Sequence, residues 1–305
     1  MPRKLVLPGG SVSIIEKAAG KLNQNKNDDK APVRQNIIEK AAGRIEQKGM
    51  PNGNDQALMH GAAPQSNLTM LDLTRLRQLG GITPNENKTQ LAEEFRMIKR
   101  PLIANAFNQG AGQVNNGNLI MITSALGGEG KSFCAVNLAM SIAMEMDHTV
   151  LLVDADVAHP SIPKYLGMKA NIGLLDLLLD DKLELADVLI KTNVEKLSIL
   201  TAGKKSIHAT ELLASQDMSK LLTEIAQRYR DRIVIFDSPP LLLTSESHVL
   251  ASQMGQIVLV VEAETTPQKA VMEALRQIES CDVINLIFNK ARYFPGGGFY
   301  GNYYA

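Results

Sequence analysis

Short runs of consecutive apolar residues recur along the second two-thirds of the chain, near residues 119–123, 149–153, 197–200, 232–236, 256–261 and 283–288. Runs such as Leu119-Ile120-Met121-Ile122 and Val150-Leu151-Leu152-Val153 are apolar at every position rather than at alternate ones, the mark of strands buried on both faces. The segments 131–146, 210–228 and 267–280 instead place apolar residues at helical spacing. Strand and helix alternate, which predicts an α/β fold with a mostly parallel sheet, right-handed crossovers and helices on both faces. Two further helices are predicted upstream, at Met70–Leu79 and Glu93–Arg100, separated by the breaker Gly80-Gly81-Ile82-Thr83-Pro84.

The first 68 residues follow a different pattern. Ser13-Ile14-Ile15-Glu16-Lys17-Ala18-Ala19-Gly20-Lys21-Leu22 recurs as Asn36-Ile37-Ile38-Glu39-Lys40-Ala41-Ala42-Gly43-Arg44-Ile45. Each copy opens with a cap residue followed three places on by Glu, a capping box, and puts Ile, Ala and Leu or Ile on one stripe. The intervening stretches, 23–32 and 47–67, are rich in Asn, Lys, Gly, Pro and Gln, a composition that does not support a packed core. Helices this short gain order only on contact. The organisation is therefore a leader (1–68) with a docking helix used twice, a catalytic domain (69–292) and a tail (293–305).

Candidate chemistry sits at the strand ends. The first strand runs into T-S-A-L-G-G-E-G-K-S, residues 123–132, a phosphate-binding loop that meets G-x-x-x-x-G-K-[ST] except at its first position, Ala125. Gly127, Gly128 and Gly130 let backbone N–H groups turn toward phosphate oxygens. Lys131 reaches the β- and γ-phosphates. Ser132 offers a hydroxyl to Mg²⁺ and, with Phe133, opens a helix whose positive end faces the anion. Glu129 lies in the same loop and reads more readily as a solvated side chain. Two later strands end in acids: Asp154-Ala155-Asp156 and Asp237-Ser238-Pro239-Pro240. Carboxylates at the carboxyl ends of parallel strands stand where ligands bind in such sheets. Bound ATP and Mg²⁺ need oxygen ligands and a group that orients the nucleophile. Asp156 and Asp237 are the expected metal ligands beside Ser132, and Asp154 or Asp156 accepts a proton. Asn289, at the end of the last strand, is either a base contact or a turn residue.

The chain has six tyrosines, and Tyr293, Tyr300, Tyr303 and Tyr304 fall in its last thirteen residues around Phe294-Pro295-Gly296-Gly297-Gly298. Tyrosine ordinarily buries its ring. A cluster on a glycine-rich end reads as a substrate.

Together these motifs resemble the bacterial tyrosine kinases of polysaccharide export, over roughly residues 70–305. Asp154-Ala155-Asp156 is similar to their additional Walker-type motif and Asp237 to their Walker B aspartate. Leu200–Gly203 followed by Thr210-Glu211-Leu212-Leu213 resembles their G…xELL segment. Glu93-Glu94-Phe95-Arg96-Met97-Ile98-Lys99-Arg100 resembles the E-x-x-R-x-x-R helix that packs subunits into a ring, with Lys99 at the last arginine and Arg100 beside it. The nearest likeness is to autokinases of exosortase-linked exopolysaccharide clusters. The resemblance implies ATP- and Mg²⁺-dependent autophosphorylation of the tail in trans within a ring-like homo-oligomer. It also implies a membrane activator of the chain-length co-polymerase type and an opposing tyrosine phosphatase. The chain departs from the family at Ala158, where an arginine is usual.

Composition alters this picture little. Hydrophobic residues make up 45% and charged residues 21%, ordinary for a globular fold. Residues 1–88 carry 13 Lys and Arg against 8 Asp and Glu, and the remainder 19 against 24, so the zero net charge hides a basic leader. No run of 18 apolar residues and no signal-peptide core is present, so the expected location is cytoplasmic, at the inner membrane face through a partner. A nucleic-acid partner is not expected. Cys134 and Cys281 fall in predicted core elements, consistent with a reducing compartment. Two other readings remain. A positioning or switch ATPase of the ParA/MinD type is disfavoured by Leu126, where that branch carries a signature lysine, and by the tyrosine tail. A nucleotide-dependent scaffold without catalysis is disfavoured by the intact Lys131, Ser132, Asp154, Asp156 and Asp237.

Overall fold

Successive residues of each apolar run point to opposite faces of one sheet, and both faces are covered. Ile120, Ile122, Val150, Leu152, Ile233 and Ile235 pack into one core. Their neighbours Leu119, Met121, Leu151, Val153, Val234 and Phe236 pack into the other. This is why the runs are apolar without alternation.

The computed structural model describes residues 68–292 apart from 85–88, 109, 111, 170–171 and 229–230. The leader repeat and the tail tyrosines lie outside the described residues. In chain order the elements are β1 (Leu68–Thr69), α1 (Leu73–Gln78), α2 (Gln90–Phe107), β2 (Leu119–Ser124), α3 (Lys131–Ala143), β3 (Thr149–Asp154), α4 (Ile162–Leu166), α5 (Leu174–Leu179), α6 (Leu185–Val188), β4 (Ile190–Thr192), β5 (Leu197–Leu200), α7 (Ala209–Leu213), α8 (Gln216–Arg228), β6 (Arg232–Asp237), α9 (Glu246–Ala251), β7 (Gln256–Glu262), α10 (Gln268–Gln277) and β8 (Val283–Asn289). The strands form one eight-stranded sheet in the order β1-β4-β5-β3-β6-β2-β7-β8. All neighbours are parallel except β4 and β5.

The P-loop fold expected from the sequence is the fold observed, with differences at short elements. The helix predicted across 210–228 is two, α7 and α8, and Ser215 marks the break by accepting the Met218 N–H at 3.1 Å. The helix predicted at 70–79 begins at Leu73, where Asp72 caps Arg75 N at 2.8 Å. Leu68–Thr69 pairs with β4 instead of joining the leader. Helices α4, α5, α6 and α9 span four to six residues each, too short to show a period.

Helix α3 is almost wholly buried, yet it carries Asn137, Ser141 and Glu145 at or just beyond its last turns, four residues apart. That spacing puts them on one stripe, and the stripe receives the N-terminal segment. Asn137 Oδ1 accepts the Ile82 N–H at 2.6 Å. Lys99 Nζ of α2 donates to the Ser141 carbonyl at 2.6 Å and pairs with Glu145 at 2.6 Å. One turn further along α2, buried Gln256 of β7 donates to the Leu102 and Gly117 carbonyls at 3.0 and 2.6 Å.

Candidate active site

The sheet order places β2 between β6 and β7, with β3 beyond β6. The carboxyl ends of β2, β3 and β6 therefore meet at one edge. Asp154 and Asp237 are register partners on adjacent parallel strands, and Ile122 of β2 pairs with Asp237 on the other side. The loop 125–130 and the carboxylates are brought together by strand pairing alone.

The loop's backbone groups divide by type. The Ser124 and Ala125 carbonyls accept N–H groups of Leu241 and Leu242 at 2.8 and 3.2 Å. Leu126 O accepts the Ser124 hydroxyl at 2.6 Å. Gly128 O accepts Lys290 Nζ and Glu129 O accepts Asn289 Nδ2, both at 2.8 Å. Gly130 O accepts Cys134 N at 2.9 Å. By contrast, among the described residues no acceptor takes the N–H groups of residues 127–132. A run of N–H groups without acceptors, opening on the exposed Gly127 and Gly128 and leading into a helix N-terminus, is an anion cradle. Gly128 and Gly130 have φ of 85° and 93°, which glycine adopts without strain.

Beside the cradle, Lys131 Nζ lies 2.7 Å from Asp156 Oδ2, 3.6 Å from Asp237 Oδ1 and 3.4 Å from Ser132 Oγ. Burial alone would lower the ammonium pKa; the Asp237 and Asp156 carboxylates more than offset this and hold it above its ordinary value. Asp154 is fully buried, and burial followed by the neighbouring Asp237 charge pushes its pKa up to about 7. Its Oδ2 accepts the Ser161 and Ile162 N–H groups, both at 3.0 Å, capping α4. Burial also raises Asp237, with Lys131 opposing the shift. Asp154 Oδ1 and Asp237 Oδ1 are buried with no hydrogen-bond partner. Orphaned carboxylate oxygens beside Ser132 are what a hydrated cation arriving with phosphates would use, since Mg²⁺ keeps waters and takes one or two carboxylates rather than a full protein cage.

Three residues at or near the loop have defined neighbours. Glu129 is not solvated: it is 2% exposed, its Oε2 accepts the Leu126 N–H at 2.6 Å, and its Oε1 accepts the Thr266 hydroxyl. Asn289 spends its amide on the loop carbonyl of Glu129. The Phe133 side chain, on the first turn of α3, packs against the core. Sequence reasoning missed Thr266 and Lys290, which lie far along the chain from the loop they touch. Cys134 sits beside the site, and burial lifts its thiol to about 12, so it is an inert core residue.

Residues 115–288 match the ParA family, described as "NUBPL iron-transfer P-loop NTPase". The chain is 30% identical over 200 residues to the tyrosine-protein kinase YwqD of Bacillus subtilis, covering 66% of this chain and 80% of that protein. The chain belongs to the bacterial tyrosine-protein kinases. The kinase is also 30% identical over 166 residues to the tyrosine-protein kinase ptk of Acinetobacter johnsonii, covering 54% of this chain but 22% of that longer protein. The crystal structure of the chimerical protein CapA2B2 superposes with a TM-score of 0.57 at 26% identity, covering 73% of this chain and 93% of the other. The ParA match describes the wider nucleotide-binding fold that the kinase shares; Leu126 still stands where the positioning branch has lysine.

The expected oligomerisation residues separate onto two sides of α2. Glu93, Arg96 and Arg100 lie on the outer stripe with Met97, which is 43% exposed, and Glu93 pairs with Arg96. Lys99 does not belong with them. It falls in the arc of Ala92, Phe95, Ile98 and Leu102 and is 4% exposed, spent on Ser141 and Glu145. Among the described residues no helix is long and apolar enough to cross a membrane.

Proposed function

We propose that the kinase transfers the γ-phosphoryl group of ATP, with Mg²⁺, to Tyr293, Tyr300, Tyr303 and Tyr304 of a neighbouring copy within a ring-like homo-oligomer. The observation that carries this reading is the loop whose carbonyls are tied off and whose amides are left for an anion, set beside a lysine and three buried carboxylates. Phosphoryl transfer rests on positioning and charge stabilisation. Lys131 turns from the carboxylates to the β/γ-phosphates when nucleotide arrives. Mg²⁺ would neutralise charge on the phosphates, held by Ser132, Asp237 and Asp156. As the tyrosine oxygen bonds the phosphorus and ADP departs, the hydroxyl proton passes to Asp154 or Asp156.

The outer stripe of α2, with Glu93, Arg96 and Arg100, is the ring contact in this reading. Arg100, seven residues from Glu93, takes the place assigned to Lys99. Each tail phosphate adds about −1.5 to −2 charges, which repels neighbouring tails and opens the ring. The wider role is regulation of exopolysaccharide synthesis or export, in the exosortase-linked setting that the motifs resemble. A chain-length co-polymerase type membrane protein serves as activator, a tyrosine phosphatase resets the tail, and the kinase sits at the inner membrane face through that activator.

The test is incubation of the full chain with ATP and Mg²⁺, mapping of tail phosphate by mass spectrometry, and measurement of oligomer size before and after. Phosphotyrosine on the tail and a shift to smaller species are expected. ATP turnover with no phosphotyrosine, even with an activator's cytoplasmic segment present, would leave a switch ATPase.

A further inference from the structure

We infer that Glu129 and Thr266 are positioning residues for the nucleotide phosphates, acting through a closed brace that ties the phosphate loop to the β7–α10 loop and the end of β8. The inference rests on the nucleotide-binding part of the function proposed above. A carboxylate in an anion-binding loop is costly if it faces the anion, because like charges in a poorly hydrated site repel strongly. Here it faces away and is consumed by donors. Glu129 Oε2 takes the Leu126 N–H at 2.6 Å, and Oε1 takes the Thr266 hydroxyl. Thr266 Oγ1 in turn accepts the Glu262 N–H at 3.2 Å. The Glu262 carboxylate pairs with Lys290 at 2.9 Å, and Lys290 returns to the loop at Gly128 O, 2.8 Å away. Asn289 adds a second tie, to Glu129 O at 2.8 Å. A Cβ on Gly130 would lie 2.1 Å from Asn289 Nδ2, so the Asn289 amide occupies the space that a side chain at 130 would take.

The consequence is directional. Withdrawing the Leu126 N–H to the Glu129 carboxylate fixes the turn 126–129, and pinning the Gly128 and Glu129 carbonyls keeps two negative dipole ends away from the phosphates. The amides that follow then face the ligand before it binds, so binding costs little reorganisation. Glu129 and Thr266 touch no reacting atom; they set the shape of the cradle.

The brace is tested by calorimetric titration of the full chain with ADP and Mg²⁺, in wild type, Thr266→Val, Thr266→Ser, Glu129→Gln and the Glu129→Gln/Thr266→Val pair. Thr266→Val is nearly isosteric on a partly exposed loop, so it serves even where Glu129→Gln does not fold. Expected are a dissociation constant raised about three- to tenfold by Thr266→Val, a return to within about twofold of wild type in Thr266→Ser, and a double variant no weaker than the worse single one. In turnover, KM for ATP rises while kcat at saturating ATP holds, a split that a merely destabilised fold does not produce. Wild-type binding with undiminished affinity in Thr266→Val and Glu129→Gln overturns the inference alone. No ADP binding by wild type overturns the nucleotide reading, and the inference with it.

Discussion

The phosphate loop has two flanks, and they treat polar groups in opposite ways. Toward β3 and β6, three buried carboxylates crowd one lysine, and Asp154 Oδ1 and Asp237 Oδ1 lack hydrogen-bond partners. Toward β7 and β8, Glu129, Thr266, Asn289 and Lys290 are joined into a closed set of bonds. The first flank is electrostatically unfinished and waits for cations and phosphates; the second is complete without them. Chemistry is kept where the fold leaves charge uncompensated, and shape is kept where it does not. Neutralising a carboxylate on the first flank should therefore uncouple activity from stability, removing its one lysine should cost both, and substitutions on the second should change affinity alone.

The largest break comes from Lys131→Met. Tail phosphorylation followed by mass spectrometry should fall about a thousandfold or more, because a preorganised phosphate donor is lost. Without nucleotide the same change removes the cation from Asp154, Asp156 and Asp237, and stability should fall by about 3 kcal/mol, the cost of stranding buried charge. Retained phosphorylation would remove Lys131 from the chemistry. Asp237→Asn should separate the two properties. Activity drops about a hundredfold or more, yet the metal-free protein melts higher, by about 1 kcal/mol, since burial already disfavours the Asp237 carboxylate. A variant that loses both activity and stability would make Asp237 a structural residue and dissolve the contrast.

A smaller effect sharpens the same flank through pH. The Asp154 carboxyl titrates near pH 7 in the folded, metal-free protein, against an ordinary value of 3.8. Below about pH 4 it is protonated in both states and burial is tolerated. Between about 4 and 7 the unfolded chain releases the proton while the folded one keeps it, so stability is lost as pH rises, by about 2 kcal/mol or more across the window. In EDTA, denaturant melts of wild type should weaken from pH 5 to 7.5 more steeply than those of Asp154→Asn. Parallel slopes would mean that Asp154 is charged throughout.

The unfinished flank was legible in the sequence and the finished one was not. Apolar runs ending in Asp154 and Asp237, with the loop ahead of both in chain order, carry their meaning locally, because parallel strands align their carboxyl ends. Glu129 is separated from its partners Thr266 and Asn289 by 137 and 160 residues. Nothing near Glu129 marks Thr266, and a carboxylate in a glycine turn reads as solvated until its neighbours are known. Lys99 is an intermediate case. The ring motif draws it to the surface, but the stripe Ala92, Phe95, Ile98, Leu102 and the polar stripe Asn137, Ser141, Glu145 on an otherwise apolar helix already announce an inward partner. Short helices such as α4 and α6 leave no period to read; α6 is capped locally by Asp187 on the Glu184 N–H, whereas α4 is capped by Asp154 from the end of β3.

The smallest expected effect belongs to Lys290→Met, at the rim of the finished flank. Lys290 is half exposed, and its ion pair with Glu262 works against solvent screening. Its bond to Gly128 O is a second restraint on a loop already held through Glu129 and Asn289. ADP affinity should therefore weaken by about twofold or less, and the small loss should fade in high salt, where the Glu262 pair is screened in wild type as well. Deeper members of the same brace, Thr266 above all, should cost more and should not respond to salt, because their bonds are sheltered. A Lys290→Met loss as large as that of Thr266→Val, persisting in high salt, would mean that the rim carries the loop by itself. The flank toward β8 would then be as open to perturbation as the flank toward β3.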